Sequence, residues 1–380
     1  MQTIEIQQKS TQQSTTEQGF EAIVTIAGST FEVQVRDPFS LAEEREMEWY
    51  FEQWIKFPFT DTTIAGRAAE KVRWYGEALF EQVFAGRAYG AYQKVNESLG
   101  ELEIVVKGDP AFQALHWEAM WDRDFARPLA IDCVMVRERK VAGMVSAARI
   151  QPSAMLNLLI VTARPNEEND VGYRTISRPM VEAIANAKLR VNVEIVRPGT
   201  FEAFVRHLEG KPEGFYHVVH FDLHGGLMTY GQFQAYQRSA GSYTFQRSYG
   251  LGDLAAYEGV RAFLFFEGEE KGLAVPVTAR EMAERLQGRG IPVCILNACQ
   301  SGKQTSPLAP LPEGEGNMKV DERETSLGAR LMDAGMQMVV AMGYSVTVDA
   351  AKVLMERVYG SLFAGGADDG GAAIGPQGAF

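Results

Sequence analysis

Short apolar runs alternate with amphipathic stretches along the chain from residue 155 onward. The runs are continuously apolar, as in strands buried on both faces of a parallel sheet: MLNLLIVTA, VNVEIV, YHVVHFDLHGG, AFLFFEG, IPVCILNACQSG and MQMVVAMG. The stretches between them have helical periodicity, and Thr200 and Thr278 stand where N-caps are expected. This succession predicts an α/β fold with a mostly parallel central sheet and helices on both faces.

The pattern before residue 150 mixes strands and helices without this regular alternation. The segment EAIVTIAGSTFEVQVRD predicts a β-hairpin, and Ser40 is expected to cap a helix that continues to about residue 55. A second helix is predicted over about 64–84, and the segments LEIVVKG and PLAIDCVMVRER are predicted to be strands. We therefore expect an α+β N-terminal half in front of the α/β half.

Composition changes at both ends of the chain. The first residues are polar and lack the apolar core of a secretory signal, so residues 1–19 are expected to be a disordered lead-in. Residues 366–380 form a Gly-rich tail that is expected to be flexible, and a truncated chain is one interpretation of it. Between the two ends, we predict an N-terminal half over 20–150 and a second half over 151–365.

The charge of the chain limits its partners. With 37 Lys and Arg against 49 Asp and Glu, the formal net charge is −12. The mean field repels nucleic-acid backbones and anionic membranes, and no run approaches the roughly 20 apolar residues of a membrane span. The three cysteines are too few and too irregularly spaced for a disulfide framework or a CxxC metal site. These features predict a cytoplasmic protein that binds neither nucleic acid nor membrane.

Two predicted strands end in residues that can carry chemistry. His224 and Gly225 follow one strand, which is expected to run into a glycine turn, and Cys299 follows another. If the two strands are parallel neighbours, the imidazole and the thiol emerge at the same edge of the sheet, where the base can activate the thiol as a nucleophile. The backbone N–H groups of Gly225 and Cys299 can then stabilise an oxyanion. Cys133 and Cys294 lie within apolar segments and are expected to be core residues.

Three histidines in and after one strand invite interpretation as a metal site. His217, His220 and His224 are spaced by three and four residues. In a strand, however, His217 and His220 point to opposite faces and cannot converge on one ion. We therefore predict no metal site, and we expect His220 to be a packed strand residue or a support for the catalytic groups.

The two strand ends together resemble the CHAT domain, a bacterial branch of the caspase-like cysteine peptidases. The resemblance rests on His-Phe-Asp-Leu-His-Gly (220–225) followed by Leu-Asn-Ala-Cys-Gln-Ser-Gly (296–302). Two further segments support it: LLIVTARP looks like the family's first catalytic strand, and LHWE stands where members often carry Leu-Pro-Trp-Glu. The second of these segments makes residues 20–150 a part of the CHAT unit.

For this chain, the resemblance implies a three-layer caspase-like sandwich and a cysteine endopeptidase without metal or organic cofactor. Cys299 matches the family's nucleophile, His224 its general base and acid, and Gly225 its oxyanion-hole backbone. The implied setting is cleavage of a protein substrate in bacterial defence or regulated cell death, gated by a regulatory protein, a flanking sensor module or a signal. Activation cleavage is expected, if anywhere, in the loop 303–325, which is otherwise a surface insertion. A catalytically silent CHAT pseudo-protease that serves as a protein-interaction module is the alternative.

The residue preferred before the scissile bond stays open at the level of the sequence. Arg164, Asp170 and Arg174 lie in the loop after the first catalytic strand, where caspases supply an arginine that pairs with a substrate aspartate. Asp222 and Asn297 each stand two residues before a catalytic position, and metacaspases usually carry Asp at the position of Asn297. An arginine favours an acidic substrate residue, whereas an aspartate favours a basic one. The sequence is therefore compatible with a preference for an acidic substrate residue and with a preference for a basic one.

Overall fold

The computed structural model of the protein contains two compact units. It describes residues 1–9, 19–55, 57–138, 151–165, 178, 181–182, 184–185, 190–237, 244–245, 256–257, 259–298, 327–333, 335–344 and 348–364. The described part of the first unit lies within 1–138, and that of the second lies within 151–364.

The first unit is built on a five-stranded mixed sheet. Its strands are β1 (Gln2–Gln8), β2 (Phe20–Ile26), β3 (Ser29–Val35), β4 (Leu102–Lys107) and β5 (Val134–Glu138), in the order β3-β2-β1-β4-β5. β2 and β3 form the predicted hairpin. The prediction of a disordered lead-in over 1–19 is wrong for β1, which pairs with β2 and β4 in the middle of the sheet and buries Ile4 and Ile6. The alternation in TIEIQ is a strand signal that the polar residues after it obscure.

Helices and turns connect these strands. The helices are α1 (Leu41–Trp49), α2 (Thr62–Val83), α3 (Arg87–Tyr92) and α4 (Pro110–Gln113), with a π-helical turn at Tyr50–Trp54. Ser40 caps α1 as predicted, and Glu43 completes a capping box by accepting the Ser40 N–H. The predicted strand PLAIDCVMVRER is shorter than expected, because a 3-10 turn at Leu129–Ile131 precedes β5. Cys133 is therefore buried just before β5 rather than within it.

The segment LHWE joins the sheet to α1. Trp117 is fully buried, and its neighbour Glu118 forms an ion pair with Arg137 of β5, with Nε and Oε1 2.9 Å apart. His116 lies on the other side, where its Nε2 is 3.0 Å from a carboxylate oxygen of Glu44 in α1. The segment thus has a clear packing role inside the first unit.

The second unit contains two sheets. Its strands are β6 (Leu156–Thr162), β7 (Val191–Val196), β8 (Val218–Asp222), β9 (His224–Thr229), β10 (Thr244–Phe245), β11 (Val260–Glu267), β12 (Leu273–Thr278), β13 (Val293–Asn297) and β14 (Met338–Ala341). The larger sheet has the order β14-β13-β8-β6-β7, and each pairing described in it is parallel. The predicted α/β architecture with a parallel sheet is confirmed.

Helices cover both faces of the parallel sheet. The helices that the structure describes in this unit are α5 (Phe201–Glu209), α6 (Tyr230–Gln237), α7 (Ala279–Leu286), α8 (Leu327–Asp333) and α9 (Val348–Ala364). Of these, α6 packs against β9 and β10 rather than on the parallel sheet. On one face, apolar side chains of β6, β8 and β13 pack with α5, α7 and α8, and on the other they pack with Met355 and Tyr359 of α9. Thr200 and Thr278 cap α5 and α7 as predicted. Of the helices that the structure describes, none is both long and apolar enough to cross a membrane.

The smaller sheet corrects the prediction of a glycine turn after β8. β9 begins at His224, and it runs antiparallel to β11 in a sheet of order β10-β12-β11-β9. Gly225 and Gly226 therefore continue a strand, because β11 supplies a pairing partner from a distant part of the sequence. β12 was not predicted, since Pro276 within it weakens the strand signal.

Candidate active site

The carboxyl ends of three neighbouring strands meet at one edge of the parallel sheet. Thr162 of β6 and Asn297 of β13 each stand opposite Asp222 of β8. His224 follows Asp222 by two residues, and Cys299 follows Asn297 by two residues. Cys299 lies outside the described residues, whereas the strand that leads to it is described. The expectation that the two strands are parallel neighbours is confirmed.

His224 lies at the junction of the two sheets. Leu223, between β8 and β9, is buried, and its N–H donates to the carbonyl oxygen of Asn297 over 3.4 Å. His224 then stands opposite Phe265 in the ladder of β9 and β11. Both sheets therefore hold its backbone, while its half-buried side chain stays within reach of solvent. A general base that exchanges protons with a bound substrate requires this kind of placement.

Gly225 lies on an outer strand of the smaller sheet, within the part of that sheet that the structure describes. β9 pairs with β11 along one side. In an antiparallel ladder, alternate N–H groups point away from the partner strand, so β9 directs donors to its other side. Donors of this kind next to a catalytic base can stabilise an oxyanion. The oxyanion role of Gly225 itself stays a prediction.

A buried polar network lies beneath the same edge. Nη2 of Arg164 donates to Oδ2 of Asp222 at 2.7 Å, and Nδ2 of Asn297 donates to Oδ1 of Asp222 at 2.9 Å. Nη1 of Arg164 also donates to the carbonyl oxygens of Ala163 and Asp222, each at 2.8 Å. Arg164 is 4% exposed and Asp222 is 3% exposed. One carboxylate thus links the ends of β6, β8 and β13, just before the predicted catalytic positions.

Glu267, at the end of β11, fixes the turn after β6 from the smaller sheet. Its carboxylate accepts the backbone N–H of Arg164 at 3.0 Å and that of Gly199 at 2.8 Å. Position 199 requires glycine, because a Cβ there would lie 2.2 Å from the carbonyl oxygen of Thr162. Sequence reasoning missed Glu267, and the available signal was an acid placed directly after the apolar run AFLFF.

The network changes the interpretation of two predicted specificity residues. Arg164 was expected to attract acidic substrates and Asp222 basic ones, but the structure pairs these two side chains with each other away from solvent. Their opposite charges compensate within the fold. Asp170 and Arg174 lie outside the described residues, as does the loop 303–325, so their predicted roles stay predictions.

His220 lies within β8 and is buried under α9. Its Nδ1 is 2.9 Å from the hydroxyl of Tyr359, while Nε2 has no hydrogen-bond partner among the described residues. Burial lowers the pKa of His220 to about 4; the Asp222 carboxylate opposes this shift and the Arg164 guanidinium adds to it. His220 is therefore a packed, neutral strand residue near pH 7. Sequence reasoning did not identify Tyr359 as its partner.

The three histidines considered for a metal site have separate surroundings. Nδ1 of His217 accepts the backbone N–H of Asn157 at 2.8 Å, whereas His220 contacts Tyr359 on the face of α9. Within the part of the chain that the structure describes, no group of three or more His, Cys, Asp and Glu side chains is placed to hold a metal ion.

Comparison with known families bears on most of the second unit and on part of the first. The model of the CHAT domain matches residues 73–370 of this chain. A search among curated proteins found no match. The matched range contains β6 to β14, including the strand ends that precede His224 and Cys299. Because the match covers more than half of the chain, the protein belongs to the CHAT domain family, which is related to the caspase-like cysteine peptidases.

Proposed function

We propose that the protein is a cysteine endopeptidase that cuts a specific protein substrate. One observation carries the proposal: β8 and β13 are parallel neighbours, with Asp222 opposite Asn297, in a member of the CHAT family. This register brings the backbone two residues before His224 level with the backbone two residues before Cys299. The proposal includes the finer fold that the family implies, a three-layer caspase-like sandwich.

In the proposed reaction, the thiol of Cys299 transfers its proton to His224, and the thiolate attacks the carbonyl carbon of the scissile peptide bond. Backbone N–H groups of Gly225 and Cys299 stabilise the oxyanion that forms. The imidazolium of His224 then protonates the leaving amine as the C–N bond breaks. Water attacks the resulting thioester, His224 accepts a proton from that water, and the thiolate leaves with regeneration of the enzyme.

The buried network supports this proposal, because it fixes the backbones that lead to both catalytic positions. Asp222 accepts hydrogen bonds from Arg164 and Asn297, and all three residues stand at strand ends. Groups that must act together need support of this kind, since a displacement of about 1 Å can cost about 100-fold in rate. We assign these three residues a positioning role in the proposed peptidase.

The proposed setting follows from the family resemblance rather than from contacts in the structure. It comprises a cytoplasmic location, a role in bacterial defence or regulated cell death, and control by a partner protein, a sensor module or a signal. No cofactor takes part in the proposed reaction, because the thiol and the imidazole supply both the nucleophile and the proton transfers.

The test is a comparison of new protein N-termini in a lysate incubated with the wild-type protein, with Cys299→Ala or with Cys294→Ala. Cys294 is the matched control, because it is a fully buried cysteine within β13. We expect new N-termini with the wild type and with Cys294→Ala, and none with Cys299→Ala. Because Arg164 and Asp222 neutralise each other, we expect the aligned cleavage sites to show no preference that either charge would impose.

A silent pseudo-protease would give a different outcome. Neither the wild type nor Cys294→Ala would then produce new N-termini, and a thiol-directed electrophile would label Cys299 no faster than an unfolded-chain cysteine. That combination would contradict the peptidase proposal. Rapid labelling that is lost in His224→Ala would instead support an activated thiol.

A further inference from the structure

A single residue connects the two sheets of the second unit next to the predicted general base. β8 of the parallel sheet ends at Asp222 and β9 of the smaller sheet begins at His224, so only Leu223 lies between them. Chain connectivity therefore fixes where β9 begins. The direction of β9 depends instead on its pairing with β11, and the orientation of the His224 side chain follows that direction, because side chains stand roughly perpendicular to their sheet.

Glu267 attaches β11 to the layer of the parallel sheet close to this connection. It ends β11 two residues after Phe265, which stands opposite His224. Its carboxylate accepts the N–H of Arg164, after β6, at 3.0 Å and the N–H of Gly199, after β7, at 2.8 Å. Its own N–H donates to the carbonyl oxygen of Gly199 at 2.9 Å. Three hydrogen bonds thus hold the end of β11 against the segments that follow two parallel strands.

The contacts of Glu267 require a carboxylate on a side chain of this length. Each of its two oxygens accepts a different backbone N–H, whereas the amide of a glutamine has one acceptor oxygen and an NH2 group that only donates. The fit is close, because a Cβ at Gly199 would lie 2.9 Å from Oε1 of Glu267. The turn after β11 adds a further bond, from the N–H of Gly272 to the carbonyl oxygen of Pro165 at 2.8 Å.

We propose that Glu267 is a positioning residue for His224. By holding β11 against the ends of the parallel strands, it sets the direction of β9 and thereby orients the imidazole that activates the thiol of Cys299. It acts through backbone contacts rather than on the reacting atoms. The inference rests on the proposed peptidase function and deepens it, because the network around Asp222 fixes the parallel sheet, whereas Glu267 fixes the smaller sheet relative to it.

The test measures how fast iodoacetamide alkylates Cys299 in the full-length protein as a function of pH. Peptide mass spectrometry distinguishes this thiol from the other two cysteines. A thiol activated by an imidazole reacts as the thiolate well below about pH 8.5, the ordinary pKa of cysteine. We expect this behaviour in the wild type. In Glu267→Gln, the midpoint of the profile should move towards the ordinary value, and the rate near pH 6 should fall about 10- to 100-fold, as for a displaced catalytic group.

Two further variants separate positioning from charge and from a general loss of stability. Glu267→Asp keeps the negative charge but is one methylene shorter, so it cannot reach both N–H groups, and its profile should resemble that of Glu267→Gln. Glu194→Gln is the matched control, because Glu194 also uses both oxygens, accepting from Lys211 at 2.6 Å and from the hydroxyl of Tyr216 at 2.8 Å, before the amino end of β8. It should keep the wild-type profile. Far-UV circular dichroism verifies that each variant is folded at each pH.

The outcomes distinguish the positioning role from the proposed function. If wild-type Cys299 reacts with the rate and pH profile of a cysteine in the urea-unfolded chain, the peptidase proposal fails and the role of Glu267 fails with it. If the wild type is activated and both Glu267 variants keep its profile, the positioning role alone is overturned. A wild-type profile in Glu267→Asp beside a shifted one in Glu267→Gln would also overturn it, since charge would then act on the thiol. An equal shift in Glu194→Gln would reduce the effect to a general loss of stability.

Discussion

Acid should destabilise the second unit through His220. The imidazole is fully buried under α9, and burial lowers its pKa to about 4, whereas a histidine in an unfolded chain has a pKa near 6.5. Between these two values the unfolded chain binds a proton that the folded protein does not bind. The free energy of unfolding therefore decreases as the pH falls from about 6.5 towards 4.

The size of the decrease in the free energy of unfolding follows from the difference between the two pKa values. Each pKa unit corresponds to about 1.4 kcal/mol, so protonation of His220 in the unfolded state removes about 3 kcal/mol by pH 4. About 2 kcal/mol of this is lost between pH 7 and pH 5. A domain has a total stability of roughly 5–15 kcal/mol, so a single histidine should shift the unfolding transition measurably.

The assay is urea unfolding followed by far-UV circular dichroism at pH 7, 6 and 5. The informative variant is His220→Leu/Tyr359→Phe, which removes both partners of the buried hydrogen bond together and so avoids leaving one of them unpaired. Between pH 7 and pH 5 the wild type should lose about 2 kcal/mol more than this variant. Tyr359→Phe is the control that keeps the imidazole, and it should keep the pH dependence of the wild type.

The reasoning would be refuted if the stabilities of the wild type and the double variant fell in parallel with pH. The other ionisable groups are common to both proteins, so their contributions to the pH dependence cancel in the comparison. All five tryptophans lie in the first unit, so their fluorescence reports separately on unfolding that starts there.

Three further substitutions test other contacts in the fold. Asp222→Asn leaves the guanidinium of Arg164 buried without its carboxylate, and urea titrations should show a loss of about 3–5 kcal/mol. Gly199→Ala places a Cβ 2.2 Å from a backbone oxygen and should lower the melting temperature by an amount equivalent to at least about 2 kcal/mol. Ser40→Ala removes the cap of α1 and should cost about 1 kcal/mol in unfolding followed by tryptophan fluorescence.

The substitution of Gly199 has a matched control in the chain. Gly360→Ala adds a methyl group in α9 where nothing lies within 4 Å, so it should be neutral or slightly stabilising, in contrast to Gly199→Ala. An equal loss for both would contradict the close-approach argument. For Asp222→Asn, a stability like that of the wild type would show that the ion pair with Arg164 contributes little. For Ser40→Ala, an unchanged unfolding transition would show that the capping box contributes little to the stability of α1.

The sequence by itself determined the features that depend on neighbouring residues. The continuous apolar runs predicted β6, β7, β8, β11, β13 and β14, and the hydroxyl residues Ser40, Thr200 and Thr278 marked the starts of three helices. These signals are local, because a cap bonds to an N–H three residues away and a buried strand needs only a short apolar run. The paired motifs around His224 and Cys299 likewise sufficed to indicate the family that the match to residues 73–370 establishes.

Only the tertiary structure decided the contacts that join distant segments. Arg164 meets Asp222 across 58 positions, and Glu267 reaches the backbone of Arg164 across 103. Residues 224–226 likewise form a strand rather than a glycine turn because β9 pairs with β11, which begins only at Val260. Charge signs and glycines in a sequence leave their partners open, since the partner is fixed by strand order and register. The sequence therefore indicated which residues could carry chemistry, and the fold determined which of their charges neutralise one another.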